Sequence, residues 1–193
     1  MDIPWGSEIS NKFITNIGLI TTTGPHGQDV MAAEWTHHVS YRPGLIAVSV
    51  GPSHATHENI AQTEEFGISI CSTDQTVLSS VSGGYSAREY DKISALQELG
   101  FEFYPAKTIK TLMVKGACAN IECRLFKTIP LGDHTMFVGE ATEGVSDATK
   151  EPLSYHAGKY WKMSMNLPKP SQQEREKIRS ILEKYRRQEG RQH

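Results

Sequence analysis

Apolar positions along the 193-residue chain fall mostly into short runs separated by glycine and proline rather than into long helical stripes. Phe13, Ile14, Ile17, Leu19 and Ile20 sit among threonines and end at Gly24-Pro25-His26-Gly27, which predicts a strand over 13–23 and then a turn. Val30 to Ser40 predicts a second strand, closed by Tyr41-Arg42-Pro43-Gly44. Leu45 to Val50 is apolar with little alternation, as in a central strand covered on both faces. Residues 56–65 predict a short helix leading into a strand over 66–72, and the glycine-serine stretch 79–86 predicts a loop. From Arg88 to Leu99, apolar residues recur every three positions before Gly100, which predicts a helix. Ala117 to Phe126 alternates strictly, and His134 to Thr142 supplies a partner strand across the turn Pro130-Leu131-Gly132-Asp133.

The C-terminal part differs in kind. Ser171 and Glu174 match a capping box, and Ile178, Ile181, Leu182 and Tyr185 form a helical stripe on a charged background after the proline-marked linker at Pro168 and Pro170. Such a stripe needs a partner surface, on the body of the protein or on a second subunit. The expected division is therefore a domain over 1–167 and an amphipathic helical extension over 168–193. Many strands with few helices predict a mainly β protein, a Greek-key-like antiparallel barrel with helical excursions.

Composition narrows the function. Twenty basic and 22 acidic side chains give a net charge of −2, which supports neither phosphate-backbone binding nor a polybasic membrane surface. Nucleic acid and membrane are thus not expected partners. Cys71, Cys118 and Cys123 make an odd set without a C-x-x-C pair, as expected of a reduced, cytoplasmic protein. The first residues lack a basic and apolar leader, and no run approaches 18 apolar residues.

Three groups of residues carry candidate chemistry. The loop Gly51 to Asn59 ends a strand and opens a helix, where free N–H groups and the helix dipole favour an anion and where Ser53 and Thr56 add hydroxyls; plain N-capping by Thr56 explains the same residues. His54-x-x-His57 offers two metal ligands, but a site needs a third from elsewhere, and no metal is expected. Trp35-Thr36, Ser86 to Lys92 and Gly132-Asp133-His134 together supply an aromatic plane, a lysine and a histidine, the inventory for a planar cofactor with a phosphate tail.

In order and spacing these segments resemble the flavin reductase-like, FMN-binding split β-barrel family and its flavoredoxin-like branch. The pieces are Asp29 to Thr36 with Pro43-Gly44-Leu45, Ser53 to Asn59 before Phe66 to Ile70, Gly84-Tyr85-Ser86 through Asp91-Lys92, Ile121-Glu122-Cys123, and Gly132-Asp133-His134 before Phe137 to Glu140. The resemblance implies FMN against the Ala33-Glu34-Trp35-Thr36 segment. It places phosphate at Ser53, Thr56 and Lys92, and it adds Asp29, Asn59 and Ser86 as further cofactor contacts. His134, as the catalytic residue, and Tyr160 would stand beside the ring. Asp29 occupies a position where this branch suggests asparagine, and a carboxylate pointing inward there repels phosphate. The resemblance further implies a homodimer with flavin between subunits, and an NAD(P)H-dependent flavin or ferric reductase. A flavoredoxin-type electron carrier, reduced by a partner protein, is the alternative.

Overall fold

The computed structural model describes residues 1–186, which divide into a compact unit over Met1–Lys162 and a second unit that begins at Met163. In chain order the first unit contains β1 (Thr15–Asn16), β2 (Gly18–Gly24), β3 (Gly27–Ala33), β4 (Thr36–Tyr41), β5 (Gly44–Val50), α1 (Ala55–Thr63) and β6 (Glu65–Ile70). There follow α2 (Thr76–Gly84), α3 (Lys92–Glu98), β7 (Phe103–Pro105), β8 (Leu112–Val114), β9 (Ala119–Leu131), β10 (His134–Ser146), β11 (Ser154–His156) and β12 (Lys159–Trp161).

Seven strands form an antiparallel sheet in the order β3-β2-β6-β9-β10-β5-β4. Its two outermost strands, β3 and β4, are consecutive in the chain and joined only by Glu34 and Trp35. Three peptide steps reach at most about 11 Å, so the sheet must roll until its edges meet. Two short contacts hold the seam: Thr36 Oγ1 donates to the Ala33 carbonyl at 3.2 Å, and the Ser49 N–H donates to the Trp35 carbonyl at 3.0 Å. This is a split β-barrel, the mainly β fold that the turn-rich pattern predicts.

Strand alternation builds two apolar cores from the same strands. Ile20 and Met31 point into the barrel with Val48, Phe66, Ile68 and Phe137, whereas their neighbours Leu19 and Val30 point outward to Leu78 of α2, Ile93 and Leu96 of α3, and Val114. The helices therefore lie over the β2–β3 face and present their ends to the seam.

Several boundaries differ from the sequence expectation for physical reasons. Val30 to Ser40 is two strands, because the seam turns the chain at Glu34-Trp35. The predicted strand over 13–23 also divides: β1 leaves the barrel to pair with β11 in a separate three-stranded sheet with β12. The glycine-serine stretch is helical in α2, where buried Leu78, Ser79 and Ser82 pack against β3; an added methyl at Gly83 would stand 3.4 Å from Ala32 Cβ, so small residues let the helix sit close. Helix α3 starts at Lys92 rather than Arg88, because Asp91 caps it by accepting the Ser94 N–H at 3.0 Å. The β9–β10 hairpin extends to 13 residues on each arm, with Leu131 paired to His134 around Gly132-Asp133.

In the second unit, α4 (Gln172–Lys184) begins at the expected capping box: Ser171 Oγ accepts the Glu174 N–H at 3.2 Å, and Glu174 accepts the Ser171 N–H at 2.7 Å. Ile178, Ile181, Leu182 and Tyr185 are all exposed.

Candidate active site

A cleft of about 830 Å³ opens at the seam. Its walls come from the end of β3 with Glu34 and Trp35, the end of β5 with Gly51, the start of α1, the end of α2 with Tyr85 to Ala87, the β9–β10 turn, and the β11–β12 turn. That volume lies in the range of sites for small molecules and cofactors, roughly 300–1,000 Å³.

One wall is aromatic. Trp35 is half-exposed, and its ring centroid lies 4.7 Å from that of His134 at an interplanar angle of 54°. His134 Nδ1 is 2.8 Å from Asp133 Oδ1, a contact that holds the Asp133 carboxyl below its usual range and leaves Nε2 for the cleft. Trp5 Nε1 donates to Glu34 Oε1 at 3.4 Å; burial raises the Glu34 pKa, and this bond lowers it by less.

Another part of the lining is polar. Helix α1 starts after His54, whose side chain makes no capping bond, so Ala55 and Thr56 begin the helix at the cleft with uncapped N–H groups. The hydroxyl of Thr56 is not an N-cap. It donates at 2.8 Å to Asp29 Oδ2, and Lys92 Nζ lies 2.9 Å from Asp29 Oδ1. Asp29, Thr56 and Lys92 are all buried, and Lys92 also donates to the Ser82 carbonyl at 3.4 Å. Ser82 Oγ, on the same wall, is buried without a hydrogen-bond partner among the described residues. Burial first, and then the nearby His134 and Lys92, push the His54 pKa down, so His54 is neutral near pH 7.

The structure brings Asp29, Ala33, Glu34, Trp35, Thr56, Ser86, Lys92 and His134 to this one cleft. Four other predicted residues stand apart from its lining. Ser53 is exposed, and its carbonyl accepts from Arg88 Nε at 3.2 Å, a bond that ties the 86–91 turn to the start of α1. Thr36 is buried in the seam. Asn59 is buried under the β2–β3 turn, donating to Thr22 Oγ1 at 3.0 Å and accepting the His26 N–H at 3.1 Å. Tyr160 donates to Ser79 Oγ at 3.1 Å and packs edge-on against Tyr155, which does line the cleft. Sequence reasoning missed Ile3, Trp5, Ser82 and Tyr155. Of these only Trp5 carried a signal, a large aromatic in a polar segment. His57 bonds Thr135 Oγ1 at 3.0 Å instead of joining His54, and no group of three metal-ligating side chains occurs among the described residues.

A flavin fits this donor set on two observations: the uncapped helix start and the unpartnered Ser82 hydroxyl line the same cleft, and the aromatic wall is open enough to receive a ring.

Comparisons with known proteins point to one family. An uncharacterized protein of Pyrococcus abyssi is 34% identical over 117 residues, covering 60% of this chain and 65% of that relative's length. The FMN reductase (NADH) SmoA of Agrobacterium fabrum is 28% identical over 152 residues, 79% of this chain and 81% of that protein. Among solved structures, the flavin reductase PheA2 superposes with a TM-score of 0.71 at 29% identity, covering 86% of this chain and all of the other. The model of the flavin reductase like domain matches residues 10–164, and the chain belongs to that family.

Proposed function

We propose that the protein is an oxidoreductase that binds FMN in the seam cleft and uses NAD(P)H to reduce flavin or a ferric acceptor. The observation that carries this reading is the cleft itself, which Trp35 and His134 line together with the uncapped start of α1. The names of the relatives, NADH-dependent flavin reductases among them, support it. Bound flavin would supply a ring that takes hydride at N5 from reduced nicotinamide.

The chain's own part is positioning. Ala33, Glu34 and Trp35 provide the surface for the ring, and the N–H groups of Ala55 and Thr56, with the hydroxyls of Ser82 and Ser86, provide donors for the phosphate. His134 would orient nicotinamide, its own orientation set by Asp133. Tyr160 would act through Tyr155, and Asn59, Thr36 and Ser53 by holding the turn, the seam and the start of α1.

We also infer a cytoplasmic homodimer, with residues 168–193 as the extension that contacts the second copy. The exposed stripe of α4 supports it, as does a second groove of about 700 Å³ lined by Ile46, Ile70, Ile121 and Ala141.

The test is anaerobic mixing of FMN-loaded protein with NADH and, separately, NADPH while the visible flavin band is followed. Bleaching by either donor is expected. A band unchanged by both, but bleached by a reduced partner protein, would assign the electron-carrier role instead.

A further inference from the structure

The charges that line the cleft are unusual for a site that takes a phosphate tail. Three carboxylates, Asp29, Glu34 and Asp133, face a single ammonium, Lys92. That ammonium is already engaged, since its Nζ lies 2.9 Å from Asp29 Oδ1 and both side chains are almost wholly enclosed. Arg88, on the turn before α3, bonds Glu58 at 3.1 Å and the Ser53 carbonyl, and does not line the cleft. His54 adds little charge here, because burial and its neighbours hold it neutral near pH 7.

A terminal phosphate carries about −1.5 to −2 charges at pH 7. At the polar part of the lining it would meet dipoles and hydroxyls but a cation whose field is largely cancelled by Asp29, and it would lie close to that carboxylate in a region of low dielectric. Asp29 is well fixed in place: Thr56 donates to its other oxygen at 2.8 Å, so it has little freedom to swing away.

From this we infer that Asp29 is a specificity-determining residue that suppresses the contribution of the flavin phosphate to binding. The flavin is then held mainly through its ring, FMN and riboflavin bind comparably, and the flavin exchanges between turnovers as a substrate rather than remaining as a resident group. The inference rests on the proposed flavin site and adds to it how that site treats the charged tail.

The experiment compares affinities for FMN and riboflavin, by quenching of flavin fluorescence, in the wild-type protein and in Asp29→Asn. The wild type is expected to favour FMN over riboflavin by less than about ten-fold. Asp29→Asn frees Lys92 for the phosphate, so FMN should tighten by about ten-fold or more while riboflavin changes by less than about two-fold. The melting temperature gives a second readout. The variant leaves an unpaired buried ammonium, so without ligand it should melt lower than the wild type, and FMN but not riboflavin should restore it. Should Asp29→Asn fail to fold, the wild-type ratio alone decides. A preference for FMN of about ten-fold or more in the wild type, or an Asp29→Asn effect that is equal for the two flavins, overturns the inference while leaving the flavin site intact. Absence of binding by either flavin to either protein overturns the site itself.

Discussion

At the scale of single residues, the cleft combines groups whose roles separate cleanly by experiment. His134 packs at a tilt against Trp35 and is oriented by Asp133, so His134→Ala should slow reduction by nicotinamide by about ten- to a hundred-fold while leaving flavin affinity within about two-fold. Stopped-flow reduction and equilibrium binding measure the two effects separately. An equal loss in both would make the histidine a part of the flavin cradle rather than a positioning group for the second ring.

Two other histidines tie stability to pH. Burial depresses the pKa values of His54 and His57 below the ordinary 6.5. The sign follows: the unfolded chain takes up protons at these positions before the folded one does. Their contribution to stability is therefore complete above about pH 6.5 and falls as the pH drops towards the folded values. Urea denaturation over pH 7 to 5 should show falling stability, and His57→Phe should flatten that slope. An identical slope in the variant would remove His57 from the explanation.

Much of this residue inventory was legible in the sequence. Eight of the named side chains do converge, because the segments that carry them are the ends of strands and helices that one seam collects. What could not be read was the direction of Asp29. Period-2 alternation assigns a face to each residue of β3, but the partner that holds Asp29, Lys92, is 63 positions away on α3. Thr56 likewise looks like an N-cap in sequence, and only the tertiary bond to Asp29 makes it a strut.

At the scale of elements, a buried carboxylate tethers the 107–108 segment to the barrel. Glu122 of β9 is buried, and burial alone would raise its pKa; bonds from the N–H groups of Lys107 and Thr108 and from the Thr108 hydroxyl overcome this and lower it. Such a carboxylate stabilises the fold above its unfolded pKa, and the effect is lost as acid titrates the folded group. Glu122→Gln should cost about 2 kcal/mol near pH 7 in urea denaturation, and the difference should shrink towards acid pH. A constant difference across that range would show that the charge is not responsible.

Gly139 of β10 marks a close approach of a different kind. It sits at a bulge in the β9–β10 ladder, and an added methyl would fall 2.5 Å from the Phe66 ring and 2.7 Å from Cys123 Cβ. Gly139→Ala should therefore destabilise by about 1–3 kcal/mol through overpacking. At this scale the sequence predicted strands by their alternation but not the division of Val30 to Ser40, since nothing local distinguishes a seam from a continued strand. The helicity of α2 was hidden for the opposite reason. Serine and glycine read as loop residues, yet here they give the thin surface that close packing on β3 requires.

At the scale of the molecule, the inferred homodimer makes its own prediction. Replacing Ile178 and Leu182 by lysine breaks the apolar stripe of α4, and should shift the protein from dimer to monomer in analytical ultracentrifugation. A dimer that persists would move the contact to the Ile46 and Ile121 groove.

The barrel, the cleft and the family membership all bear on one central claim, that a flavin ring lies against Ala33 to Trp35 with its tail towards the start of α1. A crystal structure of the protein grown with FMN tests it most directly. Density is expected for the ring beside Trp35 and His134, and for the phosphate within hydrogen-bonding distance of the Ala55 and Thr56 N–H groups. FMN bound elsewhere, or a seam cleft filled only by its own side chains and water at saturating FMN, would contradict it.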